Sequence, residues 1–206
     1  MSHCAFDQSV TDLAMQCRIA PQSDERRQLQ EFISSVFRTH YGARIDTFCS
    51  QLLGVRNPDG QLTAAAGYNL AEEGPLFLEQ YLDQPLEKIA RQRGIALHRF
   101  ETAEVGNLAA AEAGGARMLI RLMTEHLHQM GRRWVVFTAT KSLINSFNRM
   151  GLPTVELARA TADRVRNPAA WGSYYDHAPL VVLGDISMGY AHLEALKQIT
   201  PSELLQ

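Results

Sequence analysis

A strand, a glycine turn, a long amphipathic helix and a second, wholly apolar strand follow one another without interruption in the middle of this chain. That run, from about Leu97 to Ala139, restricts the possible folds more than any other feature. Leu97 to Asn107 reads as a strand whose end lies in Glu104-Val105-Gly106-Asn107-Leu108-Ala109, and Gly114-Gly115-Ala116-Arg117 then opens a helix. From Ala116 to Met130, Met118, Leu119, Leu122, Met123, Leu127 and Met130 share one face, while Arg117, Arg121, Glu125 and His128 share the other. Gly131 stops the helix, and Trp134 to Ala139 is an apolar strand of the buried kind. Strand, helix and strand in this order specify a parallel pair joined by a right-handed crossover. The free N–H groups of the helix start can hold an anion.

The flanking elements add antiparallel pairing. Gln51 to Arg56 and Leu62 to Tyr68 read as strands joined by Asn57-Pro58-Asp59-Gly60, a hairpin turn. Ala64, Ala65, Ala66 and Gly67 give the second strand a small-residue surface that lets a helix come close. Upstream, Cys17 to Ala20 reads as a short strand. Ser23 caps a helix with Leu29, Phe32, Ile33, Val36 and Phe37 on one stripe, ending near Tyr41-Gly42. Leu76 to Tyr81 and Pro85 to Arg93 read as short helices, and a helix with Leu143, Ile144, Phe147 and Met150 stops at Gly151. Leu152 to Ala158 and Pro179 to Ile186 read as strands around an aromatic loop, Trp171 to Asp176, and a helix from about Tyr190 to Gln198 closes the pattern. This order predicts one mixed α/β (α+β) domain over residues 1–206.

Composition narrows the function classes. The chain has 206 residues, a net charge of −2 and scattered lysines and arginines, so it lacks a nucleic-acid footprint. Its three cysteines have no metal-ligand spacing, which predicts reduced thiols and no metal. No apolar run approaches the roughly 20 residues a spanning helix needs. Met1 to Val10 does not read as a signal peptide, so a cytoplasmic protein is expected.

Two resemblances sharpen this. The element order resembles the GNAT acyltransferase fold, and Ala111-x-x-Gly114-x-Ala116 stands where GNAT enzymes carry a Gln/Arg-x-x-Gly-x-Gly/Ala turn that holds the acyl-CoA pyrophosphate. Ala111 departs from that pattern, and Glu112 adds a negative charge, which leaves room for an acyl carrier protein as donor. Four ordered blocks resemble the thermostable hemolysin family: Phe77-Leu78-Glu79-x-Tyr81-Leu82-Asp83-x-Pro85, Glu104 to Ala109, Trp134 with Phe137-Thr138-Ala139-Thr140, and Trp171-Gly172-x-Tyr174-Tyr175-Asp176. That family's pattern is similar in turn to GNAT enzymes and acyl-homoserine-lactone synthases. The resemblance implies a mixed, mostly antiparallel sheet with a splayed central strand pair flanked by helices.

It also implies N-acyl transfer, from acyl-CoA or the phosphopantetheine of acyl carrier protein to an amine or amino-acid-like acceptor. The family name offers direct membrane lysis as the alternative. On the transfer reading Glu104 is the expected general base, and Asn107 marks a bulge that frees an N–H for the thioester oxygen. Val105, Leu108 and Ala109 are expected along the pantetheine arm. Gly114, Gly115, Ala116, Arg117 and Arg121 are expected at its phosphate. GNAT enzymes often place a thiolate-protonating tyrosine where this chain has Phe147, so Tyr174, Tyr175 or a water is the expected substitute. Glu79, Tyr81 and Asp83 form an acidic, aromatic patch suited to a cationic acceptor, and Trp171 lies in a loop expected as a lid over the lipid chain or the acceptor.

Overall fold

The structure, a computed structural model, describes residues 24–111 and 113–198; the expected strand at Cys17 to Ala20 and the Ser23 cap lie outside them. Its helices are α1 (Asp24–Tyr41), α2 (Leu86–Gln92), α3 (Ala113–Gln129), α4 (Lys141–Arg149) and α5 (Ile186–Gln198). Its strands are β1 (Gln51–Arg56), β2 (Leu62–Leu70), β3 (Thr102–Ala110), β4 (Trp134–Ala139), β5 (Thr154–Arg159) and β6 (Leu180–Asp185). They form one sheet in the order β1-β2-β3-β4-β6-β5, antiparallel throughout except for the parallel pair β3 and β4. This is the GNAT-like arrangement that the sequence leads one to expect.

One face of the sheet carries α1, whose Leu29, Ile33 and Phe37 bury against Leu52, Ala65 and Ala109. The same face carries the 71–97 segment, packed on Trp134, Val136, Val181 and Leu183. The other face carries α3, with Leu119, Met123 and Leu127 against Ala64, Ala66 and Ala103. There α4 and α5 join it through Ile120, Leu152, Leu193 and Phe147. The small residues of β2 permit close contact on both faces. A Cβ on Gly115 would sit 3.1 Å from the Thr63 carbonyl, and one on Gly67 would meet the Cys49 Cβ at 2.5 Å.

The central pair is splayed. Pairing of β3 with β4 runs from Thr102 opposite Trp134 to Val105 opposite Phe137 and stops, although β3 continues to Ala110 and β4 to Ala139. The cause lies one strand over. Ala65 faces Ala109 and Gly67 faces Gly106, so Asn107 and Leu108 together oppose Ala66. Asn107 absorbs the extra residue with a φ of 54°, the left-handed region that asparagine tolerates better than most residues. Such a bulge bends and twists its strand, and here it turns β3 away from β4.

Several local expectations shift. The segment before β3 forms a 3-10 turn, Arg99–Glu101, and not the start of a strand, because Thr102 Oγ1 donates to the His98 carbonyl and closes the turn. Leu76 to Tyr81 is a 3-10 segment, Phe77–Tyr81. The aromatic loop contains two more 3-10 turns, Pro168–Trp171 and Tyr174–His177. The last helix begins at Ile186 with no loop after β6, since Asp185 Oδ1 accepts the Met188 N–H at 2.9 Å and caps it.

Candidate active site

A cavity of about 360 Å³ occupies the gap where β3 leaves β4. It reaches both faces of the sheet. On the α3 face it is aliphatic, lined by Leu119, Ile120, Met123, Val135, Leu143 and Phe147. On the α1 face it is aromatic, lined by Phe37, Tyr41, Phe77, Tyr81, Trp171 and Tyr174. Between them lie Glu104, Val105, Gly106, Asn107 and Leu108 of β3.

Glu104 is only 4% exposed. One carboxylate oxygen accepts the Leu78 N–H at 2.8 Å; the other accepts the Phe77 N–H at 2.8 Å and the Asn69 Nδ2 at 3.4 Å. Burial raises its pKa above the usual carboxylate range, and the Phe77 and Leu78 amides, with Asn69, pull in the opposite direction. Glu104 therefore also anchors the 77–81 turn from inside. Arg99 anchors it from outside, through Glu79 Oε1 at 2.7 Å and the carbonyls of Ala71 and Gly74, each at 2.7 Å. Glu79 closes the set by accepting the Leu76 N–H at 2.8 Å. These two fastenings hold the rings of Phe77 and Tyr81 against the cavity.

The Asn107 side chain is also engaged. Its Oδ1 accepts the Cys49 N–H at 2.8 Å and its Nδ2 donates to the Thr47 carbonyl at 3.1 Å, so the bulge ties the chain after α1 to β3. Arg26 holds the same stretch from α1 through the Cys49 and Ser50 carbonyls. Cys49 lines the cavity, and burial, followed by the nearby Glu104, pushes its thiol up to about 12.

The aromatic rings come from three separate segments. Trp171 lies 5.7 Å from Phe77 and 5.4 Å from Tyr174, and Tyr174 stands edge-on to Tyr41 at 5.3 Å. Tyr81 and Tyr175 share a hydroxyl hydrogen bond of 2.7 Å. Burial raises the Tyr174 phenol well above its ordinary range, and burial plus the Tyr175 bond does the same to Tyr81.

The expected site residues thus divide. Glu104, Val105, Asn107, Leu108, Ala116, Tyr81, Trp171 and Tyr174 meet around one cavity. The Ala109 side chain faces α1 instead, because the bulge reverses the alternation of β3 beyond Asn107. Tyr175 stands behind Tyr81, outside the lining. Glu79 and Asp83 are not part of the lining either; an arginine claims each, Arg99 for Glu79 and Arg164 for Asp83. Gly114 and Gly115 lie in the first turn of α3, where Gly115 fits against β2, and Arg117 and Arg121 are exposed on the same helix. Phe147 stacks on Phe137 at 4.8 Å within the aliphatic part. The sequence reading missed Phe37, Tyr41 and Cys49 as lining residues. Nothing in their spacing marks them, since α1 reads simply as a core helix. Among the described residues, no three His, Cys, Asp or Glu side chains gather as a metal site would require, and no helix is long and apolar enough to cross a membrane.

A GNAT-like sheet opened at its centre over a cavity with one buried carboxylate defines the class of the protein. The chain belongs to the thermostable hemolysin family, whose profile matches residues 19–190. No curated protein sequence matches it. Solved structures of similar fold include FeeM, an N-acyl amino acid synthase from uncultured soil microbes, with a TM-score of 0.56 at 16% identity over 85% of this chain and 98% of that one. MesI, a CoA-dependent acyl-homoserine lactone synthase, has a TM-score of 0.54 at 14% identity over 85% and 90%. BjaI, a CoA-dependent acyl-homoserine lactone synthase solved with SAM and isopentyl-CoA, has a TM-score of 0.56 at 13% identity over 84% and 82%.

Proposed function

We propose that this protein is an N-acyltransferase that moves a fatty acyl group from acyl-CoA or acyl carrier protein to an amine or amino-acid-like acceptor. The observation that carries the reading is the split between β3 and β4, with the cavity in it and Glu104 on its wall. Beyond Val105 and Phe137 the two strands no longer pair, so backbone groups of β3 face the gap in place of a β4 partner. An extended pantetheine arm fits such an edge as a strand does, and the Asn107 bulge turns an amide toward the thioester oxygen. The aliphatic lining accepts the acyl tail. The first turn of α3, with Gly114, Gly115 and Ala116, offers N–H groups to a phosphate, with Arg117 and Arg121 on the same helix. The structural neighbours named as CoA-dependent or N-acyl synthases support the same reading.

In the reaction, an acceptor ammonium gives one proton to Glu104, directly or through water. Its nitrogen lone pair then attacks the thioester carbonyl carbon. That attack forms the C–N bond, and collapse of the tetrahedral adduct restores the carbonyl and breaks the C–S bond. The nitrogen sheds its second proton, the thiolate leaves and is protonated by Tyr174 or water, and the products are an amide, a free thiol and one released proton. The raised pKa of Glu104 brings it nearer to what a base at neutral pH needs. Purified protein mixed with decanoyl-CoA, or decanoyl acyl carrier protein, and pooled amines is expected to release free thiol and yield an acyl amide by mass spectrometry. Absence of both products across acyl lengths and both carriers overturns the reading.

A further inference from the structure

We propose that the aromatic end of the cavity is an acceptor site for a small organic cation, an amine that carries no carboxylate. The inference deepens the acyl-transfer reading and names the acceptor class for that same site. Among the described residues, the cavity wall carries one carboxylate. Glu104 is 4% exposed, and its hydrogen bonds come from two backbone amides and one asparagine amide, with no ion pair to Lys, Arg or His among the described residues. Buried charges are normally paired, so this carboxylate at a cavity wall, once ionised, is half of a pair whose cation is to be supplied from outside. The neighbouring acids do not share this property. Arg99 is paired with Glu79 and reaches Glu87, and Arg164 is paired with Asp83.

The rings around it suit the same ligand. Phe77, Trp171, Tyr174 and Tyr41 form a continuous aromatic wall, with successive centroids 5.7, 5.4 and 5.3 Å apart, and all four line the cavity with Glu104. Aromatic faces carry negative quadrupole density, which attracts an ammonium and repels an anion. A zwitterionic amino acid would bring its carboxylate against both those faces and Glu104. An amine without that group brings only the attractive half. The specificity thus lies in a repulsive element as much as an attractive one.

The test uses matched pairs with the whole 206-residue chain. Binding of phenethyltrimethylammonium, which cannot be acylated, is measured by tryptophan fluorescence and calorimetry against its uncharged carbon isostere. The cation is expected to bind at least ~10-fold more tightly. Glu104→Gln, checked for a native circular-dichroism spectrum, is expected to remove that preference, and Trp171→Leu to weaken cation binding while Trp171→Phe largely retains it. In turnover with decanoyl-CoA, phenethylamine is expected to exceed phenylalanine at least ~10-fold in kcat/KM. Equal binding of cation and isostere, or equal or better use of phenylalanine, overturns the inference; the second outcome leaves acyl transfer standing. Cation-selective binding that depends on Glu104, with no thiol release from either amine, upholds a cation-binding site and overturns acyl transfer instead. If Glu104→Gln does not fold, Phe77→Leu and Trp171→Leu carry the same comparison, and an unchanged cation preference in both overturns it.

Discussion

Glu104 joins two demands in one side chain: it holds the 77–81 turn, and it is the proposed proton acceptor. The two separate on substitution. Glu104→Gln keeps the size and one acceptor oxygen, so acyl transfer is expected to fall about 100- to 10,000-fold while the fold survives. Glu104→Ala leaves the Phe77 and Leu78 amides without acceptors, and a loss of about 2–4 kcal/mol in urea unfolding is expected besides the loss of turnover. The pH dependence follows from the direction of the shift. Folding raises the Glu104 pKa, so the native state binds this proton more readily than the unfolded chain does. Its contribution to stability is therefore greatest below the ordinary carboxylate range and is lost as pH rises through the raised value. Activity runs the other way, rising as the base ionises, and Glu104→Gln should flatten that limb of the kcat/KM profile. Cys49 follows the same logic at higher pH. With its thiol pushed up to about 12, native Cys49 is expected to resist iodoacetamide near neutral pH and to react once urea exposes it, as peptide mapping would show.

Between the strands and the cavity, two glycines set how the elements meet. Gly172 joins the two 3-10 turns of the aromatic segment at a φ of 54°, and a Cβ there would sit 1.9 Å from the Tyr41 carbonyl. Gly172→Ala must displace either the end of α1 or the segment that carries Trp171 and Tyr174. Faster proteolysis within 168–178 and a loss of at least about 2 kcal/mol are expected, together with weaker acceptor binding. At Gly115, Ala gains helix propensity of about 1 kcal/mol but meets the Thr63 carbonyl at 3.1 Å, so a near-neutral outcome is expected. Gly115→Leu would push α3 off β2 and cost about 1–3 kcal/mol, measurable by thermal unfolding.

Taken as one body, the protein offers an aliphatic half-cavity on one face of the sheet, an aromatic half on the other, and the split strands between them. On the acyl-transfer reading, donor affinity should rise by up to ~4-fold for each methylene added to the acyl chain, about 0.8 kcal/mol, until the space beside Ile120 and Phe147 is filled, and then level off. Ile120→Phe should move that plateau to shorter chains with little effect on acetyl-length donors. The apolar stripe of α3 already lies against β2 and β3 through Leu119, Met123 and Leu127. For that reason the pure protein is expected to leave dye-loaded liposomes intact, and liposome leakage by the protein alone would favour direct lysis.

How far these features can be read in advance depends on the range of the interactions behind them. Periodicity and turn chemistry are local, so α1, the hairpin at Asn57 to Gly60, α3 and β4 were all visible in the sequence, as was the Gly106-Asn107 irregularity in β3. The Asp185 cap of α5 was local too, yet the sequence pattern placed the helix start near Tyr190 and not at Ile186. The rest rests on contacts between distant residues. That Glu79 belongs to Arg99, that Glu104 receives the amides of Phe77 and Leu78, and that Tyr41, Phe77 and Trp171 share one wall are matters of chain crossing, with separations of 20 to 27 residues in the hydrogen-bonded cases and more between the rings. The sequence by itself determined the strand and helix order, the bulge-prone residue and the fold family. Only the tertiary structure decided which acid is buried without a counter-ion and which rings surround it. Burial and charge pairing are properties of neighbours in space, and spacing along the chain does not encode them.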